Sequence, residues 1–174
     1  IDEKTLQMGS RPVYGTYVDV VIEHLGGKSF RDTAEEELIK RFLQTVRPSC
    51  WSKVKPELKK DKIIFPDIVT WDSIHYQYYK EYDFEYDSDR KVSQFCEGIA
   101  FGADDVLCGS IEMIMGLDTR NVDISRWYDL TTTNALNMKF YANGRIDVKF
   151  KDSATAESCF KRLRLNEIKL RDEN

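Results

Sequence analysis

The chain has 174 residues, which suits a single domain and suffices to bury a hydrophobic core without disulfides or structural metals. Its composition is that of a globular protein, with 41% hydrophobic and 32% charged residues, nine glycines and four prolines. The net charge of −4 excludes a general attraction to phosphate, so any nucleic-acid binding must come from a local basic patch.

The cysteines and the hydrophobic runs predict a cytoplasmic protein. Four cysteines are spread over the chain without forming a close metal-binding pair, so we expect free thiols in a reducing compartment. No run approaches the roughly 20 apolar residues that span a bilayer, and no signal peptide is visible. Because the chain begins at Ile1 rather than Met, we expect it to be a piece of a longer protein.

Residues 1–16 are polar and predict a loose leader, followed by a single domain from residue 17 to residue 174. Tyr17–Leu25 is a compact apolar segment that is too short to distinguish a strand from a helix. Asp32 and Thr33 are candidate caps of a helix that ends before Pro48. Its buried face is predicted to consist of Leu38, Ile39, Phe42, Leu43 and Val46.

The next stretch is less regular. The basic segment 51–61 predicts a short helix or a loop, and Ile63–Phe65 predicts a buried strand or a loop anchor. Asp72 or Ser73 is a candidate cap of a further helix. That helix would place Ile74, Tyr78 and Tyr82 on one face.

Two more helices, Arg90–Phe101 and Ala103–Met115, are predicted on either side of a break near Gly102. The second one is expected to end at Gly116. Its predicted buried stripe consists of Val106, Leu107, Ile111, Ile114 and Met115.

Residues 136–150 contain Asn143-Gly144 between two alternating runs, which is a strong signal for a β-hairpin. A two-residue turn would place Phe140 opposite Asp147 and mix apolar with charged residues on one face. A three-residue loop, Ala142-Asn143-Gly144, avoids this and predicts a positive φ at Gly144. It pairs Phe140 with Ile146, Met138 with Val148, Leu136 with Phe150, and Lys139 with Asp147.

A final helix is predicted after the hairpin, capped by Asp152 or Ser153. It is expected to pack Ala156, Cys159, Phe160 and Leu163 on the hairpin. The predicted fold class is α+β: a helix-rich single domain with a C-terminal β-hairpin that is closed by a three-residue loop and packed by helices.

No complete catalytic or metal-binding motif is visible in the sequence. The two histidines, His24 and His75, lie at no known spacing from Cys, Asp or Glu, so we expect structural or surface roles for both. Serine nucleophile elbows, phosphate-binding glycine loops and dinucleotide fingerprints are absent. We therefore expect a non-enzymatic function without a cofactor or a metal.

The motif Asp147-Val148-Lys149 has two interpretations. It fits the acid-x-lysine strand of a metal-dependent nuclease, in which Asp147 would hold Mg²⁺ and Lys149 would steady the attacking water. Such a site needs a second carboxylate on the neighbouring strand, where the sequence offers only amides and Lys139. An exposed salt bridge between Asp147 and Lys139 is the simpler interpretation.

The hairpin and the helix after it are similar in outline to the third strand and second helix of an RNA-recognition motif, which stacks bases on aromatic side chains. The two stacking positions are here occupied by Arg145 and Asp147. An aspartate that faces a phosphate backbone is repulsive, so nucleic-acid binding of this kind is only a second alternative.

Tyrosines crowd the segment from Tyr76 to Tyr86, in larger number than one helical face can bury. Tyrosine provides contact area with a polar tip, and the acidic residues around these rings favour a basic protein surface over nucleic acid. We therefore predict a protein-interaction surface, with half-buried core tyrosines as the alternative. Its candidate residues are Tyr76, Tyr79, Tyr82 and Tyr86.

Two basic segments are candidate phosphate contacts if the fold brings them together. They contain Lys59, Lys60 and Lys62, and Lys161, Arg162 and Arg164. Separate runs of this kind are more often solvated faces, so DNA is a candidate partner only through a local basic patch.

The hairpin Phe140–Phe150, preceded by Ile111–Asp118, resembles an uncharacterised domain family carried by phages, prophages and plasmids. In that family, a helix ending near Leu-Asp precedes a hairpin of the form aromatic-x-Asn-Gly-x-aliphatic-x-aliphatic-x-Phe and a closing helix. The domain occurs alone or beside DNA methyltransferase modules. The likeness covers about the last 70 residues, and family members often have His where Asp147 stands.

The resemblance implies a mobile-element setting and an accessory role near DNA modification, and it supplies no catalytic residues. We therefore predict a non-catalytic accessory or interaction domain that binds a protein partner and helps a DNA-modifying protein engage DNA. A divergent metal-dependent nuclease that uses Asp147 and Lys149 is the alternative.

Overall fold

The structure is a computed structural model that describes residues 29–48 and 54–170. The chain divides into two compact units, Ile1–Glu37 and Leu38–Asn174. The larger unit contains the sheet and all the described helices except the first half of the first helix. The predicted leader over residues 1–16 and the apolar segment Tyr17–Leu25 lie outside the described residues, as does His24.

Helix α1 spans Phe30–Val46. Its cap is Ser29, whose Oγ accepts a hydrogen bond from the backbone N–H of Asp32 at 3.0 Å. The predicted caps Asp32 and Thr33 are therefore wrong, because both lie inside the first turn. The buried face is close to the predicted one, since Leu38, Phe42 and Val46 are all buried.

In the described part of the chain, five antiparallel strands form one sheet in the order β1-β2-β5-β4-β3. The strands are β1 (Glu57–Lys59), β2 (Lys62–Phe65), β3 (Tyr128–Asp129), β4 (Ala135–Phe140) and β5 (Ile146–Phe150). The described part of the basic segment 51–61, from residue 54 onward, thus contains a strand and a tight turn rather than a helix, and Lys60 turns the chain with a φ of +53°. Ile63–Phe65 is a buried strand, one of the two predicted alternatives.

The three-residue loop of the β4–β5 hairpin is confirmed. Phe140 pairs with Ile146, and Lys139 pairs with Asp147. The N–H of Gly144 donates to the carbonyl of Tyr141 at 3.0 Å, and Gly144 has a φ of +86°. The loop therefore has the type I turn and left-handed glycine that the alternation of the flanking residues predicts.

The predicted pairing at the far end of the hairpin is wrong. Ala135 rather than Leu136 pairs with Phe150, because the register shifts between Ala135 and Asn137. Such a bulge places one extra residue in β4, and that residue no longer alternates into the core. Leu136 is accordingly exposed, whereas Ala135 is fully buried.

Three further helices are α2 (Ser73–Tyr79), α3 (Ser88–Asp104) and α4 (Ser153–Arg162). The predicted break near Gly102 is wrong, because α3 runs through this position without interruption. A Cβ at Gly102 would lie 2.5 Å from the Sγ of Cys159 on α4. The glycine thus lets two helices pack closely, which explains its place inside a helix.

The predicted helix Ala103–Met115 is also wrong. Helix α3 ends at Asp104; the next residue, Asp105, has a φ of +60°, and a loop then leads to a 3₁₀ turn over Ile111–Met113. Of the predicted buried stripe, Ile114 is buried, whereas Val106 and Met115 are exposed. Gly116 has a positive φ, but in a turn rather than at a helix end.

The hydrophobic core lies between one face of the sheet and the helices α1, α3 and α4. Phe42 of α1, Phe65 of β2 and Phe95 of α3 meet there, with ring centroids 4.7–5.9 Å apart. Helix α4 is capped by Asp152, and it buries Ala156 and Cys159 as predicted. The α+β class, with a C-terminal hairpin packed by helices, is confirmed, and the hairpin forms the centre of a larger sheet.

Candidate functional site

Two surfaces carry the functional candidates: the sheet face opposite the helices α1, α3 and α4, and the tyrosine-rich segment around α2. Side chains alternate along a strand, so the residues between the core positions of β5 project from the polar face. These residues are Arg145, Asp147 and Lys149, and across the hairpin they face Tyr141, Lys139 and Asn137.

Asp147 lies at the centre of this face and is fully buried. Arg145 donates from Nε to Oδ1 at 2.7 Å and from Nη2 to Oδ2 at 2.8 Å. The hydroxyl of Tyr141 donates to Oδ2 at 3.0 Å, and the Nζ of Lys62 lies 3.4 Å from the same oxygen. A bidentate guanidinium and a phenol therefore hold one carboxylate in a fixed orientation.

The electrostatics of this cluster keep Asp147 ionised. Burial alone would raise its pKa, but the hydrogen bonds from Arg145 and Tyr141 and the charges of Arg145 and Lys62 outweigh burial, and the pKa is lowered. Burial and the bond to Asp147 raise the pKa of Tyr141. The phenol thus keeps its proton and remains a donor.

The prediction that Asp147 is an exposed salt-bridge partner of Lys139 is wrong. The strand register is as expected, but the charge partners are Arg145 and Lys62. Arg145 stands two residues away on the same face, and its longer side chain covers the short aspartate. The Nζ of Lys139 instead lies 5.2 Å from the centroid of the Tyr141 ring.

This geometry argues against both nucleic-acid interpretations of the hairpin, as a nuclease site and as an RNA-recognition surface. In the nuclease reading, Asp147 would have to exchange its guanidinium and phenol partners for a metal ion. Within residues 29–48 and 54–170, no three His, Cys, Asp or Glu side chains lie together as a metal-binding group. In the RNA-recognition reading, the two stacking positions are occupied by Arg145 and Asp147, which bind each other instead.

The second surface is helix α2, which buries none of its seven residues. Asp72 caps it as predicted, because its Oδ1 accepts from the backbone N–H groups of Ile74 and His75, both at 3.0 Å. Ile74 is 68% exposed, Tyr78 75% and Tyr79 68%, while Tyr86 beyond the helix is 96% exposed. Large apolar surface is thus concentrated on one short element.

Tyr76 and Tyr82 lie closer to the body of the protein. Helix α2 ends at Tyr79 and the next residue, Lys80, has a φ of +57°, so the predicted helical face that included Tyr82 is wrong. The Tyr82 ring packs edge-on against Trp71, with centroids 5.2 Å apart, and lies 4.9 Å from Tyr76. Tyr82 therefore packs beneath the surface, whereas the rings of Tyr79 and Tyr86 are exposed on it.

The tip of the β4–β5 hairpin is hydrogen-bonded to the segment that precedes α2. The backbone N–H groups of Ile68 and Val69 both donate to the carbonyl of Gly144, at 2.9 and 3.1 Å. The indole N–H of Trp71 donates to the carbonyl of Tyr141 at 3.1 Å. This connection joins parts of the chain that are distant in sequence, and local patterns in the sequence carry no signal for it.

His75, for which a structural or surface role is predicted, is partly buried and lies near two carboxylates. Its Nε2 lies 3.2 Å from Oε2 of Glu81, and its Nδ1 lies 3.8 Å from Oδ2 of Asp83. The imidazole also packs on Tyr79, with ring centroids 4.8 Å apart. These contacts connect α2 to the strand-like segment after it.

The two basic segments do not form one patch. Lys59 and Lys62 project from the polar face of the sheet, whereas α4 packs on the core face. The basic residues of the second segment also have local partners. Lys161 pairs with Glu157 at 3.0 Å, Arg162 donates to the carbonyl of Phe101 at 3.2 Å, and Arg164 pairs with Glu167 at 2.8 Å.

Comparison of the chain with family models, with curated proteins and with solved structures found no match. The resemblance to a domain family of mobile elements therefore stays a prediction. None of the helices in the described part of the chain is long and apolar enough to cross a membrane.

The buried carboxylate was the main feature that the sequence reading missed. Its signal was present: in a three-residue hairpin loop, Tyr141 and Arg145 are the pair that closes the loop, and both share a face with Asp147. A carboxylate flanked by a tyrosine and an arginine on one sheet face is positioned to accept hydrogen bonds from both.

Proposed function

We propose that this chain is a non-catalytic interaction domain and that it docks a protein partner on α2 and Tyr86. The observation that carries the proposal is the exposure of Ile74, Tyr78 and Tyr79 on a helix without buried residues, together with the exposure of Tyr86 beyond it. Each large aromatic ring can bury 150–250 Å², roughly, at an interface. Clustered exposed rings of this kind are typical of binding surfaces.

The charge around the rings supports a basic partner. Glu85, Asp87 and Asp89 follow the helix and are exposed, and among the described residues only Asp87 has an ion-pair partner, Arg90 at 2.8 Å. An acidic rim around an aromatic centre attracts a positively charged protein surface and repels nucleic acid.

The resemblance of the hairpin to a domain of phages and plasmids supports an accessory role in a cytoplasmic setting, beside a protein that modifies DNA. The metal-dependent nuclease and the RNA-recognition binder remain the alternatives. They receive less support because Asp147, on which the first depends, is held by Arg145 and Tyr141.

Site-specific photo-crosslinking tests the proposal. A benzophenone amino acid is introduced at Tyr79 or Tyr86 in the full-length protein, expressed in its own host, and crosslinked products are identified by mass spectrometry. We expect both positions to capture one discrete basic protein. Lys91, which is exposed on α3, is the matched control position and should not capture it. Equal products from all three positions, or none, would contradict the proposal.

A further inference from the structure

Three lysines form a row across neighbouring strands on the polar face of the sheet. Lys59 of β1 is directly opposite Lys62 of β2, which is directly opposite Lys149 of β5. Neighbouring strands are about 4.8 Å apart, so this lysine row is roughly 10 Å long. It runs at right angles to the strands.

The repulsion within the row is only partly compensated, although Glu57 lies on the same face of β1, two residues from Lys59. Like charges directly opposite each other destabilise a sheet. Lys62 has one carboxylate partner, Asp147, and that carboxylate already binds Arg145 through both oxygens. Lys59 and Lys149 are exposed, and neither has an ion-pair partner among the described residues.

More positive charge surrounds the row. Lys60 forms the turn between β1 and β2, and Lys151 follows Lys149 two residues further on; both are exposed. Lys139 is the diagonal neighbour of Lys149 across the hairpin. A chain with a net charge of −4 thus concentrates lysines at one end of one sheet face.

We propose that the lysine row binds the phosphate backbone of single-stranded nucleic acid. Phosphates would relieve the repulsion among the lysines, and release of counterions would supply the driving force. Five strands make a face about 19 Å wide, which is broader than the roughly 12 Å major groove of a duplex. A single-stranded nucleic acid can lie across such a face, as it does on other sheet-based binding domains.

The contacts of Tyr141 indicate that charge rather than base stacking provides the affinity. Its ring lies on the same face, but the guanidinium of Arg145 is 4.5 Å from the ring centroid and Lys139 is 5.2 Å away. With the ring covered, we expect strong salt dependence and little sequence preference.

Fluorescence anisotropy of the full chain with a labelled oligo-dT of about 15 nucleotides, between about 50 and 200 mM KCl, tests the proposal. The variant is Lys59→Gln/Lys149→Gln, which spares Lys62 because that residue contacts Asp147. We expect binding at least about tenfold weaker at low salt and a salt slope reduced by about 1.4, or 0.7 for each lost phosphate contact. Lys40→Gln/Lys91→Gln removes the same charge from exposed helix positions and should change binding less than about twofold.

The folded state of the variant is checked by thermal melting, and we expect an equal or higher melting temperature because two repulsive pairs, Lys59–Lys62 and Lys62–Lys149, are removed. The single variants provide a second measurement, each with about half the loss of salt slope.

Failure of the wild-type chain to bind oligo-dT at low salt overturns the proposal, as does an equal loss in the control variant. Tighter binding of a duplex of the same length overturns the single-strand assignment. Equal competition by a poly-glutamate peptide would assign the row to an acidic protein segment instead. None of these outcomes bears on the docking surface at α2, because the two surfaces share no residue.

Discussion

At the tip of the β4–β5 hairpin, Gly144 combines a positive φ with a contact that leaves no room for a side chain. A Cβ at this position would overlap the backbone carbonyl of Val69. We expect Gly144→Ala to lower the free energy of unfolding by about 2–4 kcal/mol, from the left-handed conformation and the overlap together. Urea denaturation measures the change.

Gly116→Ala is the matched control for this prediction. Gly116 has a similar φ of +74°, but its added Cβ would meet only the end of the Arg126 side chain, at 3.5 Å. This substitution should cost about 1–2 kcal/mol, the conformational part alone. Equal losses in the two variants would show that the contact with Val69 contributes nothing.

The buried carboxylate of Asp147 should contribute to stability in a pH-dependent way. Asp147→Asn keeps the shape but removes the charge that Arg145 binds, and we expect a loss of roughly 2 kcal/mol or more at pH 7. The pKa of Asp147 is lower in the folded than in the unfolded state. Its contribution is therefore fully present above the unfolded pKa of about 4 and is lost as the pH falls through the folded value.

Urea denaturation of both proteins from pH 7 down to about pH 2.5 checks this expectation, which predicts that their stabilities converge only below about pH 4. Lys139→Gln is the control, since Lys139 is opposite Asp147 in the strand register but forms no salt bridge with it, and its removal should cost less than about 0.5 kcal/mol. A larger effect of Lys139→Gln than of Asp147→Asn would restore the exposed-pair interpretation.

On the scale of elements, the exposed side chains of helix α2 should contribute little to the free energy of unfolding. Tyr79→Ser/Tyr86→Ser removes two rings that are 68% and 96% exposed. We expect the melting temperature to change little, because substitutions of exposed residues usually stay within about 0.5 kcal/mol each. Binding of the partner identified by crosslinking should weaken at least about tenfold, as expected for interface aromatics.

Tyr82→Ser is the control for the loss of a partly buried ring. Tyr82 packs on Trp71 and is partly buried, so its removal should lower the free energy of unfolding by more than about 1 kcal/mol. If the Tyr79/Tyr86 variant unfolds as readily as the Tyr82 variant, the exposed rings belong to the fold and the docking surface is refuted.

The elements that could be predicted from the sequence are those whose signals are local. The loop of the β4–β5 hairpin follows from alternation around Asn143-Gly144, and α4 follows from its cap and apolar spacing. The break predicted at Gly102 fails because a glycine that serves close packing looks the same in sequence as one that ends a helix. Which strands join the hairpin depends on partners far along the chain, and that information is not local.

On the scale of the whole molecule, the buried thiols should report cooperative unfolding. Cys96 and Cys159 lie in one core cluster, and burial raises the pKa of both thiols, that of Cys159 to about 12. Cys108 is exposed. We expect iodoacetamide to modify Cys108 in the native protein, and Cys96 and Cys159 only as the chain unfolds in urea, with a common midpoint.

Mass spectrometry that resolves each cysteine makes this measurement, and the midpoint of the loss of circular dichroism is the internal control. Modification of Cys159 at a lower urea concentration than Cys96 would mean that α4 detaches before the rest of the core unfolds.

The candidate sites were only partly predictable for a related reason. The exposed tyrosines follow from their number in one segment, and the structure leaves Tyr79 and Tyr86 uncovered as expected. The cluster around Asp147 required knowing that Lys62, 85 positions earlier, lies on the neighbouring strand. The lysine row likewise exists only after three strands have been placed side by side.

The hydrogen bonds between the hairpin tip and the segment before α2 set an order of events during synthesis. Trp71 and Tyr141, which are 70 positions apart, meet only when a long loop closes, whereas the hairpin itself forms locally and fast. A ribosome releases the residues of α2 well before it has made Gly144, whose carbonyl receives Ile68 and Val69. We therefore expect the tyrosine surface not to form on nascent chains that lack the hairpin. A partner should then bind only molecules whose translation has passed the hairpin.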